Sequence, residues 1–224
     1  MILRYAFLFF LSMTSAAAAE VRVVDGDTLK LPDGQNHRIF GIDAPEHGQT
    51  CKRTDGSVWP CGKAATQAMV DLVSGKEVVC STRFFDDFGR PVSTCFVGDL
   101  DIGAEMVRQG HAWAFVKYET PYVPDELIAK GQALGIWRAP TQTPWDYRAE
   151  RWKVAEQAVP DNVDPNCRIK GNISDNGHIY HAPWSPYYTR TKITTAKGER
   201  WFCSEEEAIK AGWRAPYWGQ MPPK

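Results

Sequence analysis

At 224 residues, 43% hydrophobic and 24% charged, the chain has the make-up of an ordinary globular protein with room for one medium domain and a small second one. Its net charge of −1 argues against tight, non-specific binding to nucleic acid, which needs a broad basic footprint. A local basic groove drawn from Lys52, Arg53, Lys63 and Arg83 stays open. The first nineteen residues read as an export signal: Arg4, an apolar run over 5–13, and Ala17-Ala18-Ala19 before a cut ahead of Glu20. That run is too short for a good membrane span and no later segment approaches its length, so a soluble, exported chain is expected, periplasmic or secreted. Strands are predicted over 21–31, 35–42, 78–84 and 91–97, from β-branched or alternating apolar residues. A helix is predicted over 62–74, with Ala65, Met69, Leu72 and Val73 on one side. Others follow over 102–109, 125–134 and 147–157, the last expected to pack Trp145 and Trp152 on the first domain.

Residues 159–166 are a linker by composition, rich in Pro, Asp and Asn, and few contacts are expected to cross it. This divides the mature chain into a domain over 20–158 and an accessory module over 167–224. In that module Asp175-Asn176-Gly177 signals a hairpin, 200–203 reads as a strand, and Ser204 with Glu207 forms a capping box for a short helix that Gly212 ends. Its tyrosines and tryptophans are core residues of a tiny domain, or, for Tyr187, Tyr188 and Trp201, an exposed platform for bases or sugars.

Six cysteines in an exported chain point to disulfides. Cys51 and Cys61 bracket a loop, Cys80 and Cys95 straddle a hairpin, and Cys167 and Cys203 remain for the module. The rival is a zinc site of Cys167, Cys203, His178 and His181, which the absence of a close Cys-x-x-Cys pair disfavours.

Three short patches carry chemistry: Val24-Asp25-Gly26-Asp27-Thr28, Arg38-Ile39-Phe40-Gly41-Ile42-Asp43-Ala44-Pro45-Glu46, and Asp86-Asp87-Phe88-Gly89-Arg90. Asp27 follows a flexible glycine among valines, which predicts a strand bulge or bend. Pro45 holds Ala44 extended, so Asp43 and Glu46 leave the sheet close together. Carboxylates suit a hard cation such as calcium, another carboxylate can serve as base, and arginine forks fit phosphate oxygens. Each patch alone has an ordinary explanation: a turn, a strand exit with solvated acids, a hairpin tip. Their ordered combination points to phosphodiester hydrolysis.

In order and spacing, from about residue 21 to residue 137, these patches resemble the thermonuclease family, the staphylococcal-nuclease-like enzymes. The resemblance implies an α+β chain built on an OB-fold, a five-stranded barrel with helices, here extended by a small disulfide-stapled ββα-type module. It implies that Asp27, Asp43 and the Ala44 carbonyl hold Ca2+, that Glu46 is the general base, and that Arg38 and Arg90 bind phosphate. It implies hydrolysis of DNA or RNA with the 5′-oxygen leaving, and a nucleotide contact from Tyr118. Val116 stands where a second such tyrosine would align, and Phe88 replaces a tyrosine before the Gly-Arg pair. The C-terminal segment loosely resembles a small zinc module of a bacterial alkylated-DNA repair protein, with Trp184 in place of an expected cysteine. It more closely resembles the tail of nuclease-like proteins encoded with succinoglycan genes. A monomer is expected. The alternatives are a catalytically idle OB-type binding module and a factor in exopolysaccharide biosynthesis or export that contacts the polymer.

Overall fold

The computed structural model describes residues 21–87, 89–117, 119–157, 159–160 and 162–219. The predicted export signal, Phe88 and Tyr118 lie outside the described residues. Strand β1 (Arg22–Val23) turns through Asp25-Gly26-Asp27 into β2 (Thr28–Lys30), which pairs with it antiparallel. The Asp25 carboxylate accepts from the Asp27 N–H at 3.0 Å, and the Val24 N–H donates to the Thr28 carbonyl at 2.9 Å. The single bulged strand expected over 21–31 is therefore two strands, because this side-chain turn offers the backbone an alternative to extension.

Strand β3 (Asn36–Ile39) pairs with β2, setting Arg38 opposite Thr28. The expected strand over 35–42 breaks at Gly41, whose φ of 72° suits a residue without a Cβ. Beyond it β4 (Ile42–Asp43) leaves the sheet, to pair later with β10 (Trp113–Ala114). A ribbon of β5 (Cys51–Lys52) and β6 (Val58–Trp59) leads into α1 (Cys61–Val73), whose Ala65, Met69, Leu72 and Val73 are buried as its periodicity predicts. The hairpin of β7 (Val79–Phe85) and β8 (Pro91–Val97) joins the sheet by a parallel pairing of β8 with β3. Strand β9 (Leu100–Asp101) pairs with β8 and runs into α2 (Ile102–Arg108), capped by the Asp101 carboxylate on the Ala104 N–H. Among the described residues the sheet order is β1-β2-β3-β8-β7, curled around Leu29, Ile39, Ile42, Met69, Ile102 and Met106. This is the α+β arrangement of an incomplete barrel with helices over one end.

Helix α3 (Val123–Gly131) and a 3-10 turn at Gly135–Arg138 follow β10. Helix α4 (Pro144–Glu156) begins three residues before its predicted start, because Thr143 caps it and Pro144 fits its first turn. The C-terminal module is a three-stranded sheet, with β12 (Gly177–His181) and β13 (Arg200–Phe202) flanking β11 (Ile169–Ser174), and α5 (Glu205–Lys210) against it. Its hairpin, its Ser204 cap and its Gly212 stop occupy the predicted places.

Two expectations differ. Trp152 packs not on the barrel but with the module's core of Ile169, Tyr180, Phe202 and Ala208, while Trp145 does face the barrel, edge-on to Trp113. The predicted platform does not form as a unit either, since Tyr188 is buried under Lys170 and only Tyr187 of the pair is exposed.

Contacts also cross the 159–166 boundary freely. The Trp218 and Gly219 N–H groups donate to the carbonyls of Val24 and Val23 at 2.9 and 3.2 Å, and Trp218 stacks on His47 at 4.6 Å. The three disulfides pair Cys51 with Cys61, Cys80 with Cys95, and Cys167 with Cys203. The last bridge removes the thiolates that the zinc alternative required, and His178 instead stacks on Trp213. Among the described residues no helix is long and apolar enough to cross a membrane.

Candidate active site

The three patches meet at one cavity of about 330 Å³ at the mouth of the half-barrel. Arg38, Asp43, Glu46 and Arg90 line it, and Asp27 lies beneath. Register explains the meeting: Arg38 stands opposite Thr28 on β2 and beside Val92 on β8, so the first and third patches flank the second. The Arg38 fork donates to Asp27 Oδ1 at 2.8 Å and to Asp43 Oδ1 at 2.9 Å, so one guanidinium spans both carboxylates. Asp27 also accepts from the Ala44 N–H at 2.9 Å and from the Thr28 hydroxyl at 3.1 Å. Burial opposes its charge, yet Arg38 and these donors hold its carboxyl below the ordinary range. Arg38 in turn is desolvated but held firmly protonated by Asp27 and Asp43.

Glu46 sits where Pro45 turns the chain out of β4, and α1 begins directly behind it. A Cβ on Gly62 would collide with the Glu46 carbonyl, so this helix can approach the turn only because position 62 is glycine. Burial pushes the Glu46 carboxyl up to about 8, against the pull of a neighbouring cation, Arg148. The half-buried carboxyl of Asp25 is likewise pushed up to about 7, by burial and then by the charge of Asp27. Arg90 comes from the β7–β8 hairpin. Asp86 shapes that loop by accepting from the Arg90 N–H at 2.9 Å and from its Nε at 2.8 Å.

Several residues of the site are absent from the sequence reading. Asp25 and Asp86 stand inside the quoted patches, and their roles follow from turns that spacing alone does not reveal. Arg148 on α4 gave no local signal. Its Nη1 donates to Asp43 Oδ1 at 3.1 Å and to Glu46 Oε1 at 2.7 Å, and its Nη2 donates to Asp43 Oδ2 at 2.7 Å. Trp184 and Glu205 of the module complete one wall, with Glu205 held by the Tyr180 hydroxyl at 2.7 Å. Phe40, Phe84 and Phe115 supply apolar lining. Tyr118, the predicted nucleotide contact, lies outside the described residues.

Among the described residues no three acidic, histidine or cysteine side chains converge as ready ligands. Asp27 and Asp43 are buried, lie within the span of one guanidinium and offer only oxygen, the donor that a hard cation takes, while Ala44 meets Asp27 through its N–H. The arrangement can bind an anion through its arginines and a cation through its carboxylates, beside a carboxylate with no fixed commitment to either protonation state.

A family model described as "Staphylococcal nuclease homologue" matches residues 36–139, the span that carries Arg38, Asp43, Glu46 and Arg90. The chain is 32% identical over 145 residues to the micrococcal nuclease of Shigella flexneri, covering 57% of this chain and 78% of that protein. It is 32% identical over 126 residues to the succinoglycan biosynthesis protein ExoI of Rhizobium meliloti, covering 54% and 64%. It is 31% identical over 125 residues to the probable staphylococcal-like nuclease CAN3 of Oryza sativa, covering 54% of this chain and 30% of that longer relative. The chain thus spans under two thirds of the last two relatives, and nearly four fifths of the first. At 32% identity over nearly four fifths of the Shigella nuclease, the chain belongs to the staphylococcal nuclease homologue family.

Proposed function

We propose that the protein is a divalent-cation-dependent nuclease that hydrolyses phosphodiester bonds of DNA or RNA. The observation that carries this reading is the convergence of Asp27, Arg38, Asp43, Glu46 and Arg90 on one cavity. Asp27 and Asp43, with the Ala44 carbonyl, would hold the cation, and calcium suits an all-oxygen set of irregular geometry. A bound cation supplies positive charge beside the phosphoryl oxygens and favours ionised water. Glu46 takes the proton of the attacking water as its oxygen bonds to phosphorus. Arg38 and Arg90 donate to the phosphoryl oxygens as charge builds on them. The bond to the 5′-oxygen breaks, that oxygen takes a proton from solvent, and the phosphate stays on the 3′ side.

The three disulfides support an oxidising compartment, and hence export to the periplasm or beyond. The likeness to a succinoglycan biosynthesis protein of Rhizobium favours a second reading, a factor in exopolysaccharide biosynthesis. The retention of every expected acid and arginine at the cavity weighs toward catalysis, since an idle binding module has no use for the base. Electrophoresis through a gel containing DNA, with and without chelator, tests both readings. A clear band that chelator abolishes is expected. No clearing by the refolded enzyme, with calcium and other divalent cations supplied, would overturn the nuclease reading.

A further inference from the structure

Arg148 lies outside the span that the family model matches, yet it makes three hydrogen bonds to the acids of the cavity. It occupies both oxygens of Asp43, and Oδ1 of that group already accepts from Arg38. Three of the roughly four lone-pair sites of that carboxylate are thus taken, and a metal, which demands close and directed oxygens, meets a guanidinium at both oxygens. Arg148 stands at the rim, with its side chain 25% exposed, while Asp43 at the base is 1% exposed. The guanidinium can therefore swing outward, whereas the carboxylate cannot move to meet a cation elsewhere.

We propose that Arg148 is the resident cation of the substrate-free site, holding Asp43 and Glu46 until a divalent cation displaces it from Asp43. This rests on Asp43 being a metal ligand, as in the function proposed above. It makes Arg148 a positioning residue that competes with the metal: one of its nitrogens bridges the two carboxylates, and it raises the metal concentration at which Asp43 accepts a cation. The helix that carries it is fixed through Trp152 to the C-terminal module, so this competition is built into the fold rather than left to a mobile side chain on a loop.

Calorimetric titration of the full chain with calcium alone, without nucleic acid, tests the proposal. Arg148→Gln is expected to bind calcium about tenfold tighter than the unaltered protein, near 1.4 kcal/mol. Arg148→Lys, which retains a charge but not the fork, is expected to fall between them. In chelator Arg148→Gln is expected to melt below the unaltered protein, because Asp43 is left buried and unpaired, and saturating calcium is expected to close that gap. Should Arg148→Gln fail to fold, Arg148→Lys carries the test alone. Unchanged or weaker calcium binding by a folded variant overturns the competition and leaves the metal reading intact. Calcium binding that survives Asp43→Asn overturns the assignment of Asp43, and the competition with it.

Discussion

Glu46 sits between two influences, and its behaviour follows from which one dominates. Burial favours the neutral acid and pushes its carboxyl to about 8, and burial with the Asp27 charge does the same to Asp25, at about 7. Both groups are raised above their ordinary values of 4.5 and 3.8, so the folded protein retains protons that the unfolded chain has released. Their contribution is fullest below the unfolded values and is lost as pH rises through the folded ones. In chelator, their own contribution is therefore expected to fall between about pH 4 and pH 8, while burial holds His47 and His181 down to about 4 and works in the opposite sense over the lower part of that range. Asp27, held low by Arg38 and its donors, acts in the opposite sense only in more acidic solution. Denaturant midpoints of the unaltered protein relative to Glu46→Gln measure the slope due to Glu46, and a difference that rises steadily to pH 8 would contradict it. The same residues are expected to govern turnover. Glu46→Gln, Arg38→Lys and Arg90→Lys should each lower kcat on the order of a hundredfold or more, with unchanged circular dichroism. Arg90→Lys also gives up the Nε bond to Asp86, so the loss should include a higher KM.

At the scale of elements, the β7–β8 hairpin presents Arg90, and the Cys80–Cys95 bridge ties its strands directly opposite one another. Replacing both cysteines by serine is expected to remove on the order of 3 kcal/mol of stability, the entropy of closing a loop of about fifteen residues. Thermal melts measure that loss, and a parallel rise in KM would show that the bridge also aims Arg90. Which elements were legible follows from how local their causes are. Helix α1 could be read from Ala65, Met69, Leu72 and Val73, and the module's hairpin and cap from residues three or four apart. The break at Gly41 and the turn at Asp25 depend on a hydrogen bond and on a neighbouring strand that no periodicity contains. Likewise the matched stretch announced Arg38, Asp43 and Glu46, whereas Arg148 reaches Asp43 across 105 residues, with nothing beside it to signal a site. Long-range partners of this kind are set by packing, and packing is what a single chain read in order conceals.

For the whole molecule, the sequence suggests two units joined by a proline-rich linker, while the folded chain makes them share a wall. Trp184 and Glu205 complete the cavity, Trp152 packs with the module's core, and Trp218 and Gly219 bind the edge of β1. A chain stopped after Val159 is therefore expected to melt well below the full-length protein, since it bares Trp152 and His47 and leaves the Val23 and Val24 carbonyls without these donors. It should also open the cavity on one side, so that cleavage of short oligonucleotides changes in rate or site choice. An unchanged melting temperature together with an unchanged cleavage pattern would show that the shared wall has no energetic weight.

The binding of Trp218 and Gly219 to β1 has a bearing on when the enzyme comes into being. A ribosome delivers β1 well before these residues, so the strand that opens the barrel waits for this partner until the C-terminal module has been made. Contacts between such distant parts of a chain form slowly, because a long loop must close before they give any return. The cavity receives Arg148, then Trp184 and Glu205, in that same late order. Completion of this cavity thereby waits on the C-terminal module, separated in time from the making of Arg38, Asp43 and Glu46.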